Sequence, residues 1–263
     1  MIVMKGIKIL GKAMLVACVL LSALCAHGQT YVSNEAPFFD TRKSENFLEV
    51  GAHVTLGISS VIQNYSKAVT GISDFQISPG FMGTIGVDVR FNLRNSLGLC
   101  TGLDFGINNF RYAMSTVDMQ ANSFSSMYSR NHFYHFKVPV YVSFRFNVGR
   151  RLTWCAEVGA YFSKGFGGYT KVSGYTSGDN QLGQPTVAHG MFESKYFNAD
   201  TPFINGVRST DWGPRFSTGF MYKRKYSLKM VLDMSIPNLA LNKGVMNVRY
   251  RNLTWGMQVG YVF

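Results

Sequence analysis

Apolar and polar residues alternate along this chain in eight blocks, and the last block is the clearest. Leu253, Trp255, Met257, Val259, Tyr261 and Phe263 interleave with Thr254, Gly256, Gln258, Gly260 and Val262. A period of two puts alternate side chains on opposite faces of a β-strand. The pattern recurs over 48–58, 81–93, 97–107, 136–146, 152–162, 211–222 and 226–234, and the closing strand is expected to begin near Val248. No segment has a helical period, so an all-β chain follows.

The connections alternate in length. Arg94-Asn95-Ser96, Asn147-Val148-Gly149-Arg150 and Lys223-Arg224-Lys225 are tight turns, whereas 59–79, 112–133, 164–210 and 237–244 read as long polar loops. Short turns on one side, long loops on the other and an even strand number are features of outer-membrane barrels. The expected fold is an eight-stranded antiparallel up-and-down transmembrane β-barrel, with short periplasmic turns and long extracellular loops. Pro139 sits mid-strand without a ladder donor, which predicts a β-bulge there.

The two faces differ sharply in charge. One is almost purely apolar. The other collects Glu49, Asp88, Arg90, Asp104, Lys137, Arg145, Glu157, Arg215, Lys229, Asp233 and Arg251. An arginine facing lipid at mid-depth costs about 2–4 kcal/mol, so a bilayer enforces this separation. A soluble lipocalin-type barrel would also segregate charge, with its apolar face inward. Aromatic residues at the strand ends favour the membrane: Phe91, Phe146, Trp154, Tyr222, Tyr226, Tyr261 and Phe263 toward the turns, and Phe81, Phe136 and Phe162 toward the loops. Trp255, Tyr261 and the terminal Phe263 read as a C-terminal insertion signal, which implies barrel-assembly machinery as a transient partner.

The N-terminus carries Lys5, Lys8 and Lys12 ahead of an apolar run from Ala13 to Leu24. Ala26 and Gly28 then suit cleavage before Gln29, so residues 1–28 read as a Sec signal peptide. A lipoprotein cut before Cys25 is disfavoured by the bulk of Leu24. Residues 29–45 read as a periplasmic tether and 46–263 as the barrel. The chain is 46% hydrophobic and 14% aromatic, yet the apolar run ahead of the cut is too short to span a bilayer as a helix. The formal charge of +12 falls to 12 − 3 = +9 without the signal lysines. An exported chain seldom meets nucleic acid, so this basicity points to anionic lipid headgroups, alongside scattered solvated cations.

Outer-membrane lipid is therefore the expected partner of a monomer, with a surface ligand or a periplasmic protein as further partners. The interior of an eight-stranded barrel is just wide enough for side chains to fill. The charged residues should then pair as a polar plug, with a narrow ion path or proton relay as the functional alternative. His53 beside Glu49 is a conceivable acid–base pair. His189, Glu193, Asp200 and Asp211 are conceivable surface ligands for a divalent ion, although their spacing matches no ligand pattern. No catalytic, cofactor or metal site is expected. Cys100 and Cys155 lie on strands separated by another strand, about 9–10 Å apart, too far for a disulfide.

The stretch His135-Phe136-Lys137-Val138-Pro139-Val140-Tyr141-Val142-Ser143-Phe144-Arg145-Phe146 resembles the aromatic-x-Ile-Pro-apolar strand of PorT-like, porin-family outer-membrane β-barrels of Gram-negative bacteria. Gly159-Ala160-Tyr161 and Gly219-Phe220 are similar to steps in that family's neighbouring strands. Val138 stands where isoleucine is usual, and the 164–210 stretch is long for the type. The resemblance implies an integral barrel and brings no catalytic residues. The functional expectation is a non-enzymatic structural or surface-interaction protein acting through its outer loops. The alternatives are a narrow solute channel and a lipid-modifying enzyme.

Overall fold

The computed structural model describes residues 37–64, 72–118, 123–179, 185–197, 206–241 and 249–263. The signal peptide and its cut, the first part of the tether, Asp200 and Val248 lie outside these residues. Among the described residues, nine antiparallel strands run β1 (Leu48–Gln63), β2 (Ile72–Asn92), β3 (Leu97–Asp118), β4 (Ser123–Asn147), β5 (Leu152–Asp179), β6 (Pro185–Lys195), β7 (Thr210–Tyr222), β8 (Tyr226–Met234) and β9 (Tyr250–Val262).

Eight of them close a ring. β1 pairs with both β2 and β9, while β4 pairs with β3 and β5, and β5 passes the ring to β7, β8 and β9. Closure leaves no sheet edge in the bilayer, the condition for spanning with strands. β6 stands outside the ring. It pairs with Tyr169–Asp179 of β5, above the segment of β5 that pairs with β7.

The lower part of the barrel wears its apolar residues outward. Ile85 is 59% exposed, Val140 49% and Val259 60%. From Phe136 to Phe146 the outward side of β4 is apolar throughout. That run spans about 33 Å of strand, or about 25 Å of height at a tilt near 40°. A hydrocarbon core requires a band of this height. Phe38, Phe146 and Trp154 stack at its turn end, with ring centroids 5.2 Å and 5.0 Å apart. Phe105, Phe136, Phe166 and Tyr134 cluster at its loop end.

Three of the expected loops are largely strand. β2 and β3 continue through 72–79 and 112–118, β4 starts at Ser123, and β5 runs on to Asp179 before the β6 hairpin. The reason is an inversion of pattern at constant strand phase. On β3 the even positions face inward throughout: Cys100, Asp104 and Asn108 low down, then Phe110, Tyr112 and Met114. Outward positions run oppositely, from Leu99 and Leu103 to Asn109, Arg111 and Ser115. Above the bilayer, water replaces lipid outside the sheet, and the apolar side chains turn inward.

The bulge expected at Pro139 is not there. Asp104↔Lys137 and Thr101↔Val140 keep one register across it, and the Thr101 hydroxyl donates to the Pro139 carbonyl at 3.0 Å. Register slips instead at Pro79–Met82 of β2 and opposite Tyr134–His135, where β5 gains a residue near Phe166. Gly168, with φ of 140°, follows that second slip. The slip brings Thr170 and Val172 of upper β5 to the inner face.

The end of the tether is docked rather than loose. Asp40 is buried, donates its backbone N–H to the Ser96 hydroxyl oxygen at 2.8 Å, and accepts from Asn95 Nδ2 at 2.9 Å on its carboxylate. Arg42 donates to the same carboxylate at 2.9 and 2.7 Å. These Arg42 side-chain bonds, opposed by burial and aided by the Arg42 backbone N–H and Asn95, hold the carboxyl well below the usual range. A depressed folded pKa adds stability above the unfolded value, near 4, that is lost as pH falls through the folded value. The urea midpoint of the wild type should therefore exceed that of Asp40→Asn at pH 6, and the gap should close toward pH 2. An equal gap at both pH values would mean that the carboxylate charge holds nothing in place.

Candidate functional site

The low half of the lumen is filled with ion pairs. At the turn end, Arg145 of β4 forks onto Glu49 of β1 at 3.1 and 2.7 Å, and Asn92 donates to the same carboxylate at 2.9 Å. Arg90 bonds Asn92 at 2.6 Å and the Ser143 hydroxyl at 2.7 Å. Ser143 in turn reaches Glu157 at 3.2 Å, where Lys229 sits at 2.6 Å and the Ser217 hydroxyl donates. Further up, Arg215 lies 3.0 Å from Asp104 and 3.8 Å from Asp233, and Lys137 pairs with Asp233. Lys137 also lies over the Tyr161 ring, whose hydroxyl donates to Asp211 at 3.2 Å.

Ten of the eleven charged residues expected on the inner face point into this interior, and His53 joins them. The register assembles them from seven of the eight ring strands, all but β9, because inward positions on neighbouring strands lie side by side. Arg251 does not join them. It shares the outward phase of Leu253 and Trp255, opposite Ile62.

His53 has different partners from those expected. Its Nδ1 lies 2.8 Å from Asp88 and its Nε2 3.2 Å from Asp104, while Glu49 belongs to Arg145. Both ring nitrogens therefore face acceptors, the arrangement a doubly protonated imidazole satisfies. The donor atoms of His53, Asp88 and Asp104 lie within 4.8 Å of one another. Arg215 already holds the second Asp104 oxygen, so the set is an internal ion cluster rather than an open cradle for a metal. Of the loop candidates, the described ones do not come together. Asp211 faces the lumen from β7, whereas Glu193 pairs with Lys171 at 3.1 Å on exposed β6, which also carries His189.

Cys100 and Cys155 are buried free thiols on β3 and β5, with β4 between them. Sequence reasoning missed His135, Tyr141, Tyr161 and Gln258, all buried in this lumen. Each keeps the inward phase of its strand, so strand parity alone identifies them.

The upper half of the lumen is sealed by an apolar cluster. Phe110, Tyr112, Met114, Met127, Phe133, Val172, Tyr196 and Tyr250 pack with Val61, Val207, Leu239 and Ala240. Tyr196 stacks flat on Phe133 at 4.6 Å, and its hydroxyl meets that of Tyr250 at 2.7 Å. Val207, just ahead of β7, and Leu239 and Ala240, after β8, pack into this cluster, and Val207 and Ala240 are joined by a bridge. A cavity of about 510 Å³ opens at the turn end beside Asp40, Arg42 and Glu49, and among the described residues the voids deeper in the lumen are small. One void of about 20 Å³ touches Asn108, His135 and Asp211, and another of about 40 Å³ touches Arg90, Cys100 and Tyr141. Each has room for roughly one to three waters.

A closed ring with charges inside, an apolar belt outside and aromatic girdles at both rims is the architecture of a membrane barrel, and the family comparison agrees. The model of the outer membrane protein beta-barrel domain matches residues 33–241. The chain belongs to that family and resides in the outer membrane. No curated protein matches its sequence. Among solved structures it is similar to Ail, the attachment invasion locus protein of Yersinia pestis, at 12% identity, covering 82% of this chain and 98% of that one with a TM-score of 0.33. It is also similar to the outer membrane protein OprG from Pseudomonas aeruginosa, at 9% identity, 81% and 95% coverage and a TM-score of 0.36. Neisserial surface protein A gives 12% identity, 83% and 98% coverage and a TM-score of 0.32.

Proposed function

We propose that this barrel is a non-enzymatic, non-conducting outer-membrane protein whose role is exercised at the cell surface. The supporting observation is the double seal of its lumen: ion-paired side chains below, an aromatic cluster above, and voids of about 20 and 40 Å³. A hydrated ion needs a continuous path, and neither void holds more than a few waters. Planar bilayer recordings from the purified protein should be silent. Reproducible open steps would favour the channel alternative and overturn the sealed lumen.

The surface role is supported by the sheet that β2–β6 raise beyond the apolar belt. At its end, β6 pairs only with β5 among the described residues, and Val187 and Met191 are 65% and 77% exposed. A free strand edge flanked by apolar side chains is suited to pairing with an extended segment of a partner. Met191→Cys should react with a membrane-impermeant maleimide on intact cells, while Lys223→Cys on a turn should react only after lysis. Buried Cys100 and Cys155 supply no background. The reverse labelling would place the β6 sheet on the periplasmic side and remove it from any surface role.

The finer PorT-like relationship rests on Val138-Pro139 and the neighbouring glycine-aromatic steps. Export by Sec, insertion guided by Trp255, Tyr261 and Phe263, and a monomeric state complete the reading. Tyr261 packs between Tyr226 and Phe263, at 5.2 and 5.3 Å, so the last two of these rings belong to one turn-side cluster.

A further inference from the structure

Above the outer girdle, the outward face of the raised sheet carries an unusual row. Arg111 of β3 is directly opposite Arg130 of β4, and Arg130 is directly opposite Lys171 of β5. All three side chains are exposed. Two strand spacings place the three cations within roughly 10 Å of each other along the sheet. Like charges at facing positions destabilise a sheet unless something lies between them. Along this register, Ser78 of β2 flanks the row on one side and Glu193 of β6 on the other. Glu193 is paired with Lys171 at 3.1 Å. Arg130 lies over the Tyr128 ring at 5.4 Å and Lys171 over the Tyr169 ring at 5.2 Å, which props both stems against the sheet.

We propose that Arg111, Arg130 and Lys171 form a phosphate-binding row for the headgroup of a phosphorylated glycolipid in the outer leaflet. The row's height selects this ligand. Tyr134 packs on Phe105 and Phe166 at the upper end of the Phe105–Phe136–Phe166 ring cluster, and Arg130 lies four residues beyond it on β4. Four residues rise about 13 Å along the strand, or about 10 Å in height at the tilt of such barrels. The polar layer of a phospholipid leaflet extends only about 5–7 Å beyond the hydrocarbon, so its phosphates sit below the row. A glycolipid with phosphates on a bulky saccharide headgroup reaches it. Guanidinium groups favour such a ligand because they clasp phosphate oxygens in pairs. The row points sideways, toward neighbouring lipid, rather than upward into the medium. That orientation separates a lipid headgroup from a dissolved polyanion.

The test uses the full chain in phosphatidylcholine nanodiscs. Into these is titrated a rough lipopolysaccharide with phosphorylated lipid A and core, and then the same glycolipid after chemical dephosphorylation. Native mass spectrometry reads the bound glycolipid. The wild type should prefer the phosphorylated form, and the Arg111→Gln/Arg130→Gln/Lys171→Gln variant should lose that preference, weakening on the order of tenfold. An unchanged heat-modifiable gel shift would show the variant still folded, and Arg111→Lys/Arg130→Lys should bind with intermediate strength. Equal retention of both glycolipids, unchanged binding by the triple variant, or equal enrichment of phosphatidylglycerol would each overturn the proposal. So would binding confined to a soluble heparin fragment.

Discussion

Replacing Arg215 by leucine should destabilise the barrel by about 3–5 kcal/mol, the cost of leaving buried carboxylates without their cation. Arg215 is the junction of the upper ionic cluster, 3.0 Å from Asp104 and 3.8 Å from Asp233, and only 6% exposed. The ion pairs themselves are no proof of net stabilisation, because desolvating both partners offsets much of their attraction. Removing one partner is different. His53 and Lys137 would remain beside Asp104 and Asp233, so the lost charge is only partly replaced. Urea unfolding of the refolded barrel, followed by tryptophan fluorescence, measures the loss. The Asp104→Leu/Arg215→Leu pair should lose less than the sum of the two single changes, as expected for residues sharing one network. A loss below about 1 kcal/mol for Arg215→Leu would mean that water reaches this cluster and screens it, and the sealed lumen would fall with it.

The ring and its ionic interior were legible in the sequence because one physical rule wrote both. Inside the bilayer, every outward position must be apolar and every charge must point in, so simple alternation located eight strands and the lumen set. The rule then changes sign along the same strand. On β3, Leu103 and Phe105 face out and Asp104 faces in, whereas a few residues later Phe110 faces in and Arg111 faces out. A reader tracking apolar-out positions sees the pattern break near Asn109 and ends the strand there. The real strand continues to Asp118. The same inversion hid the upper apolar cluster, since Met127, Phe133 and Val172 lie in stretches that look like polar loop. Pairing was less legible. His53 lies four residues from Glu49 on one strand face, yet its partners come from β2 and β3, a consequence of register that spacing alone does not reveal.

Val140→Arg should cost about 2–4 kcal/mol, while Tyr128→Arg, on the same face of the same strand, should cost close to nothing. Both side chains point outward from β4, twelve residues apart, and strand parity cannot distinguish them. What differs is the solvent. Val140 sits between Thr101 and Ala160 in the middle of the apolar belt, where an arginine must either thin the bilayer around it or leave its charge in hydrocarbon. Tyr128 lies beyond the outer girdle, beside Ala113 and Ser173, where a cation is solvated by water and headgroups. Unfolding in bilayers of defined composition should resolve the two variants. The difference should shrink in a detergent micelle, which deforms more readily around a charge. Equal penalties in the bilayer would place both positions in one medium, and the change of solvent along β4 would then have no physical basis.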